Sequence, residues 1–183
     1  MVQRANAMGV GEQQLGEIIF KGVDLSVGTT PPDAAILGTM QGYSYDINDD
    51  SRLVFNVPTD WVPTTDMRVS LRWVINENYA LANGEVQWRF IYVAVDQDNQ
   101  LIAGGTTATV DSGDINIPTT ATQITSDTFG TDILGSNLAV GDTVALQILR
   151  IALAGGVDPT ADPIILQVTV EYARRFPYPR RNV

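Results

Sequence analysis

The runs "MRVSLRWVIN" (67–76) and "GEVQWRFIYVAVD" (84–96) constrain the fold of this chain more than any other feature. In the first, Met67, Val69, Leu71, Trp73 and Ile75 share one parity, and Arg68, Ser70 and Arg72 the other. A strand sends successive side chains to opposite faces, so this pattern puts the apolar set in a core and the polar set in water. A helix would scatter both sets around its surface. In the second run, Val86, Trp88, Phe90 and Tyr92 are the core parity. Its other face turns apolar after Arg89, at Ile91, Val93 and Val95, and is expected to be covered by an arm or a partner.

Six further segments read as strands separated by turn chemistry: 38–47, 51–57, 101–110, 119–129, 143–153 and 163–173. In the last, the alternation puts Ile164, Leu166, Val168, Val170 and Tyr172 on one face. "NDD", "DQDNQ", "NLAVGD" and "AGGVDPTAD" supply the turns, and "TDILGSNL" (131–138) offers at most one helical turn. About eight short strands without a convincing helix imply an all-β chain. The expected architecture is an antiparallel two-sheet β-sandwich with jelly-roll-like topology over residues 36–173. Uneven connection lengths argue against a closed meander barrel.

Residues 1–35 are different. "EIIFK" (17–21) is one strand-like island among Gly9, Gly11, Gly16, Gly22 and Gly28, and "TTPPD" follows at 29–33. The segment reads as an extended N-terminal arm that orders only against a partner. The last ten residues, "RRFPYPRRNV", read as a short basic tail, 174–183.

Charge and composition exclude several functions. The chain has neither Cys nor His, which removes thiol nucleophiles, disulfides, zinc sites of the usual kind and a His-dependent hydrolytic triad. Gly-rich phosphate loops are absent too, so no cofactor is implied, and the chain is expected not to be an enzyme. The net charge of −10 divides into −14 over residues 1–173 and +4 over the tail. An acidic body is a poor match for nucleic acid, whereas a basic tail suits an acidic protein surface. No apolar run is long enough to cross a membrane, and "MVQRANAMGVGEQQLG" lacks the apolar stretch of a secretory signal.

The candidate sites are few. Asp96, Asp98 and Gln100 have an i, i+2, i+4 spacing of oxygen ligands. The loop lacks the Gly and the distant bidentate Glu of a calcium loop, and reads as a hairpin turn. Asp46, Asn48 and Asp50 repeat the spacing and receive the same reading. Trp73, Trp88 and Tyr92 lie on core parities, which leaves Trp61 and Tyr79, both in loops, as candidate glycan contacts. Trp61 lies beside Pro58 and Pro63 and reads either as a corner plug or as such a contact. Arg68, Arg72 and Arg89 are on outward parities of two strands taken to pair. With Arg174, Arg175, Arg180 and Arg181 of the tail they are the candidate interface residues. The simpler role for the strand arginines is cross-strand pairing with Asp or Glu.

In order, "FNVPTDW" (55–61), "TTDMRVSLRW" (64–73), "NGEVQWRFIYVAV" (83–95), "LAVGDTVALQILR" (138–150) and "IILQVTVEYA" (164–173) resemble a β-sandwich module of structural proteins in tailed-bacteriophage virions. The resemblance covers residues 38–173. Its most specific parts are the "VPTDW" corner, the "GEVQW" strand start and the "GD" before the penultimate strand. It implies a structural role in the virion and transfers no catalytic residue. The chain has no heptad or repeat of the kind a fibre would carry. That favours a capsid decoration (cement) protein, made in the host cytoplasm and bound to the capsid exterior. The expected partners are the major capsid protein and further copies of the chain, as a trimer, with neither nucleic acid nor membrane. The alternatives are a tail, collar or fibre protein binding a glycan receptor, and a carbohydrate-binding module. Deleting residues 1–30 is expected to leave a folded body that no longer binds capsids.

Overall fold

The computed structural model describes residues 14–78, 84–96, 105–128, 133–153 and 155–175. All eight expected strands are present. They are β4 (Met40–Ser44), β5 (Asp50–Asn56), β6 (Arg68–Val74), β7 (Glu85–Val95), β8 (Thr106–Asp111), β10 (Ile124–Thr128), β11 (Thr143–Ile151) and β12 (Ile164–Arg174). Four shorter or earlier strands join them: β1 (Gln14–Lys21), β2 (Ser26–Val27), β3 (Asp33–Leu37) and β9 (Ile115–Asn116). The single helical turn expected within 131–138 is a 3-10 turn at Gly135–Asn137.

The pairing is nested. β4 pairs with β12, β5 with β11, β6 with β10 and β7 with β8, all antiparallel. Two further antiparallel ladders, β12 with β6 and β11 with β7, join these pairs into sheets. The orders are therefore β4–β12–β6–β10 in one sheet and β5–β11–β7–β8 in the other. This is the strand order of a jelly roll, an eight-stranded hairpin wrapped over itself.

Alternation dictates the core. Met67, Val69, Leu71, Trp73 and Ile75 meet Val86, Trp88, Phe90, Tyr92, Val144, Leu146 and Ile148 of the second sheet in one buried cluster. Each large apolar side chain so enclosed contributes about 1.5–3 kcal/mol relative to exposure. Two 11-residue strands, β7 and β12, span the cluster.

Three expectations change. First, the body does not begin at residue 36. β1 runs along β12 for eight residues, from Gln14 opposite Arg174 to Lys21 opposite Gln167. On that side of β12, β4 pairs only with Ile164 and Ile165, and β1 takes up the strand from Gln167 onward, satisfying backbone groups that would otherwise lie open. Ile18 and Phe20 pack on the core, and Leu25 lies within it. The glycines that read as breakers serve close approach. A Cβ on Gly16 would sit 2.4 Å from the Tyr172 ring, and one on Gly22 would sit 2.0 Å from the Ile165 carbonyl oxygen. β2 pairs with β5, and "TTPPD" is tethered by reciprocal bonds. Thr30 N donates to Asp50 Oδ1 at 2.8 Å, and Asp50 N donates to Thr30 O at 2.8 Å. Second, β12 shifts register between Ile165 and Gln167. This bulge turns Ile165 inward and Leu166 out, so the alternation expected from Ile164 and Leu166 fails there. Third, β6 and β7 belong to different sheets, so Arg68 and Arg72 do not form a stripe with Arg89.

Candidate functional site

The "VPTDW" corner crosses from β5 in one sheet to β6 in the other and is fastened to the end of β12. Trp61 forms a bridge with Arg174; Val62 N donates to Ala173 O at 2.9 Å, and Arg175 N donates to Asp60 O at 2.6 Å. The Asp60 carboxylate accepts from Arg174 Nε at 2.7 Å through Oδ2 and from the Tyr172 hydroxyl at 3.1 Å through Oδ1. Trp61 is 0 % exposed, and its Nε1 donates to Thr65 O at 3.1 Å. It therefore plugs the corner and presents no ring face to a sugar, so the glycan contact considered for Trp61 is corrected. Tyr79 lies outside the described residues. Trp73 and Trp88 are equally enclosed, so none of the three tryptophans offers a stacking platform.

The arginines separate into different settings. Arg174 is the last residue of β12 and not part of a free tail. Arg175 follows it and is held through its backbone. Arg89 makes a forked pair with Asp111 across the β7–β8 ladder, Nε to Oδ1 at 2.7 Å and Nη2 to Oδ2 at 2.9 Å. Its role there is the cross-strand one. Arg68 and Arg72 are exposed on the outer face of the first sheet, opposite Glu171 and Gln167 of β12. Arg180 and Arg181 lie outside the described residues, as do Asp98 and Gln100, which leaves Asp96 alone of the three oxygen ligands. Among the described residues no group of three Asp or Glu is placed to hold a metal ion.

Arg174 holds the Asp60 carboxyl below its ordinary value of 3.8, and Arg89 does the same for Asp111. A depressed carboxyl contributes stability that is fully present above its unfolded value and lost as pH falls through the folded one. Asp49 runs the other way: burial raises it. Urea midpoints of the wild type should therefore fall in acid below about pH 4. The double variant Asp60→Asn/Asp111→Asn should lose stability at neutral pH and show a shallower acid limb.

One charged group lies where the strand pattern allows only core. Val144, Leu146, Ile148 and Arg150 share the inward parity of β11, and Arg150 is 1 % exposed. Its Nη1 donates to Tyr45 O and to Asp162 Oδ1, each at 2.8 Å, and its Nη2 is 3.7 Å from Asp158 Oδ1. Tyr45 is also buried: it bonds Ser51, and its ring meets Trp88 edge-on at 5.4 Å. Burial pushes its phenol well above the ordinary value. The arrangement ties the β11 end to the β4–β5 turn and to the loop before β12. Sequence reading passed over it, although an arginine on a core parity was the available signal.

The two outer faces differ. That of the first sheet is charged, with Glu171, Arg68, Arg72 and Lys21, and holds a hollow of about 360 Å³ lined by Lys21, Met40, Gln41, Arg72 and Gln167. That of the second sheet carries a row without charge, Val54–Ala145–Val93–Thr107, crossing four strands. Val54 is 57 % exposed and Ala145 is exposed, while Ile91, Val93 and Val95 are half-buried.

No known protein family matches the chain, and no curated protein matches it. Solved structures of similar shape include a carbohydrate-binding module of family CBM36, determined with calcium and xylotriose. It is 15 % identical, with a TM-score of 0.49, over 84 % of this chain and 98 % of that one. The xylan-binding module CBM15 is 11 % identical, with a TM-score of 0.48, over 90 % of this chain and all of that one. A chain of the infectious bursal disease virus Gt strain is 14 % identical, with a TM-score of 0.42, over 98 % of this chain but 37 % of that one. Likeness at this level assigns no function.

Proposed function

We propose that this chain is a non-enzymatic virion structural protein of a tailed bacteriophage, a decoration protein seated on the outer surface of the capsid. The observation that carries the reading is the outer face of the second sheet. Its central row is free of charge on a chain of net −10, and Val54 stands out from it. Exposed apolar surface surrounded by polar side chains marks protein contact. The jelly-roll body and the resemblance of the "VPTDW", "GEVQW" and "GD" segments agree with it. The partners are the major capsid protein and other copies of the chain. Binding works by burial of area without chemistry, and bound copies stabilise the shell by mass action.

The test is binding to capsids that lack the protein. Wild type should decorate them, and Val54→Lys should fold normally and fail to decorate. Residues preceding β1 are tested by a cut after residue 13, because a cut at 30 would remove β1 and the buried Leu25. That shortened protein should fold and bind capsids more weakly. Full occupancy by Val54→Lys would rule out the face. The glycan-binding alternative has its support in the hollow beside Arg72, whose guanidinium has no partner among the described residues. Retention on an acidic polysaccharide that is lost in Arg72→Ala would replace the capsid reading with that one.

A further inference from the structure

We propose that the free edge of β1 pairs antiparallel with the same edge of a second copy, with Ile19 opposite its own counterpart. One edge of β1 is taken by β12, and no strand among the described residues pairs with the other. An open edge is a template for a further strand, and proteins usually blunt it. Here it runs eight residues and projects apolar groups outward: Leu15 is 63 % exposed and Ile19 55 %. Glu17 and Lys21, on the same parity, have no ion pair among the described residues. Within the chain Glu17 even lies opposite Glu171, a like-charge neighbour that costs stability.

The register follows from these side chains. Antiparallel partners keep their faces only when residues of equal parity oppose, so the twofold axis must pass between one residue and its own counterpart. An axis at Glu17 opposes two carboxylates. One at Ile18 sets Leu15 against Lys21 and Glu17 against Ile19. An axis at Ile19 sets Glu17 against Lys21 twice and Ile19 against Ile19, and leaves Leu15 beside the 3-10 turn Gly22–Asp24 that follows the partner strand. On the inner side it brings Ile18 against Phe20, both already packed on the core. Only this register matches charge with charge and apolar with apolar on both faces. It also gives Glu17 the cation that it lacks beside Glu171. The symmetry is twofold, in place of the trimer expected from sequence. The inference deepens the self-association in the reading above and is independent of where the assembly sits.

The full chain is examined by sedimentation across a dilution series, with Glu17→Lys, Lys21→Glu and the double exchange. Wild type should dimerise reversibly. Each single variant creates two like-charge pairs and should weaken the dimer about tenfold, while the exchange should return it to within about threefold of wild type. Glu17→Lys also faces Glu171 favourably within the chain, so its Tm should match that of the wild type while the dimer weakens. A wild-type monomer at every concentration, a trimer, single variants without effect, or an exchange no better than the singles would each overturn the proposal. A monomer that still decorates capsids would remove this inference alone, and a dimer that never does would remove the capsid reading alone.

Discussion

Removing both carboxylates beside Arg150, as Asp158→Ala/Asp162→Ala, is expected to destabilise the fold by about 3–5 kcal/mol, because it leaves a buried guanidinium without a counter-charge. Asp162 and Asp158 are partly exposed at 41 % and 31 %, whereas Arg150 is 1 % exposed, so the cost falls on the arginine. The Tyr45 carbonyl, at 2.8 Å, would be the remaining hydrogen-bond partner of the guanidinium among the described residues. Arg150→Met should be milder, at about 1–2 kcal/mol. It removes the charge that needs compensation and keeps the volume, leaving Asp162 to water, and Asp158 Oδ1 and the Tyr45 carbonyl without the guanidinium. The network is already imperfect: Arg150 Nε and Asp158 Oδ1 are buried without a hydrogen bond among the described residues. For a chain of this size 3 kcal/mol corresponds to a fall in Tm of about 6–12 °C. The order of the two variants is the test. If Arg150→Met melts below the double alanine variant, the ion pairs themselves hold the β11 end.

The strands from β4 onward, the two-residue β9 excepted, were legible because each carries its own period, and side-chain alternation is a local property. The jelly-roll topology followed from their number and uneven spacing. The failures are non-local. β1 is stabilised by partners some 150 residues away in sequence, and Gly16 and Gly22 are there because Tyr172 and Ile165 crowd them. Neither fact leaves a mark within residues 1–35, where the same glycines read as breakers. The bulge in β12 was hidden for another reason. "IIL" at 164–166 is apolar throughout, so a one-residue slip changes no polarity and only the β6 register reveals it.

Of the candidate sites, the sequence identified the Arg89 side of a cross-strand pair without naming Asp111. It grouped that arginine with Arg68 and Arg72 because β6 and β7 are consecutive strands. In a jelly roll these two cross between sheets, so neighbours in sequence end on opposite outer faces. The uncharged row Val54–Ala145–Val93–Thr107 combines three ladders, and none of its members is distinctive alone. Only the apolar second face of β7 hinted at it.

Trp61→Ala should be the most damaging single substitution, at about 3–5 kcal/mol, because it empties the volume of a fully enclosed indole. The loss should spread beyond the cavity. Trp61 bridges Arg174, and its neighbours Asp60 and Val62 make the bonds that hold the end of β12, so a collapsed corner frees Arg174 and Tyr172 as well. Trp61→Phe separates the contributions. It keeps most of the apolar volume and removes the Nε1 donor to Thr65 O, and should cost about 1–3 kcal/mol. Thermal melts, with amide exchange at residues 168–174, would show both effects: exchange there should rise more in Trp61→Ala than in Trp61→Phe. A surface contact would behave in the opposite way, with an unchanged Tm and only binding affected. An unchanged Tm in Trp61→Ala would therefore return this tryptophan to the surface and undo the account of the corner.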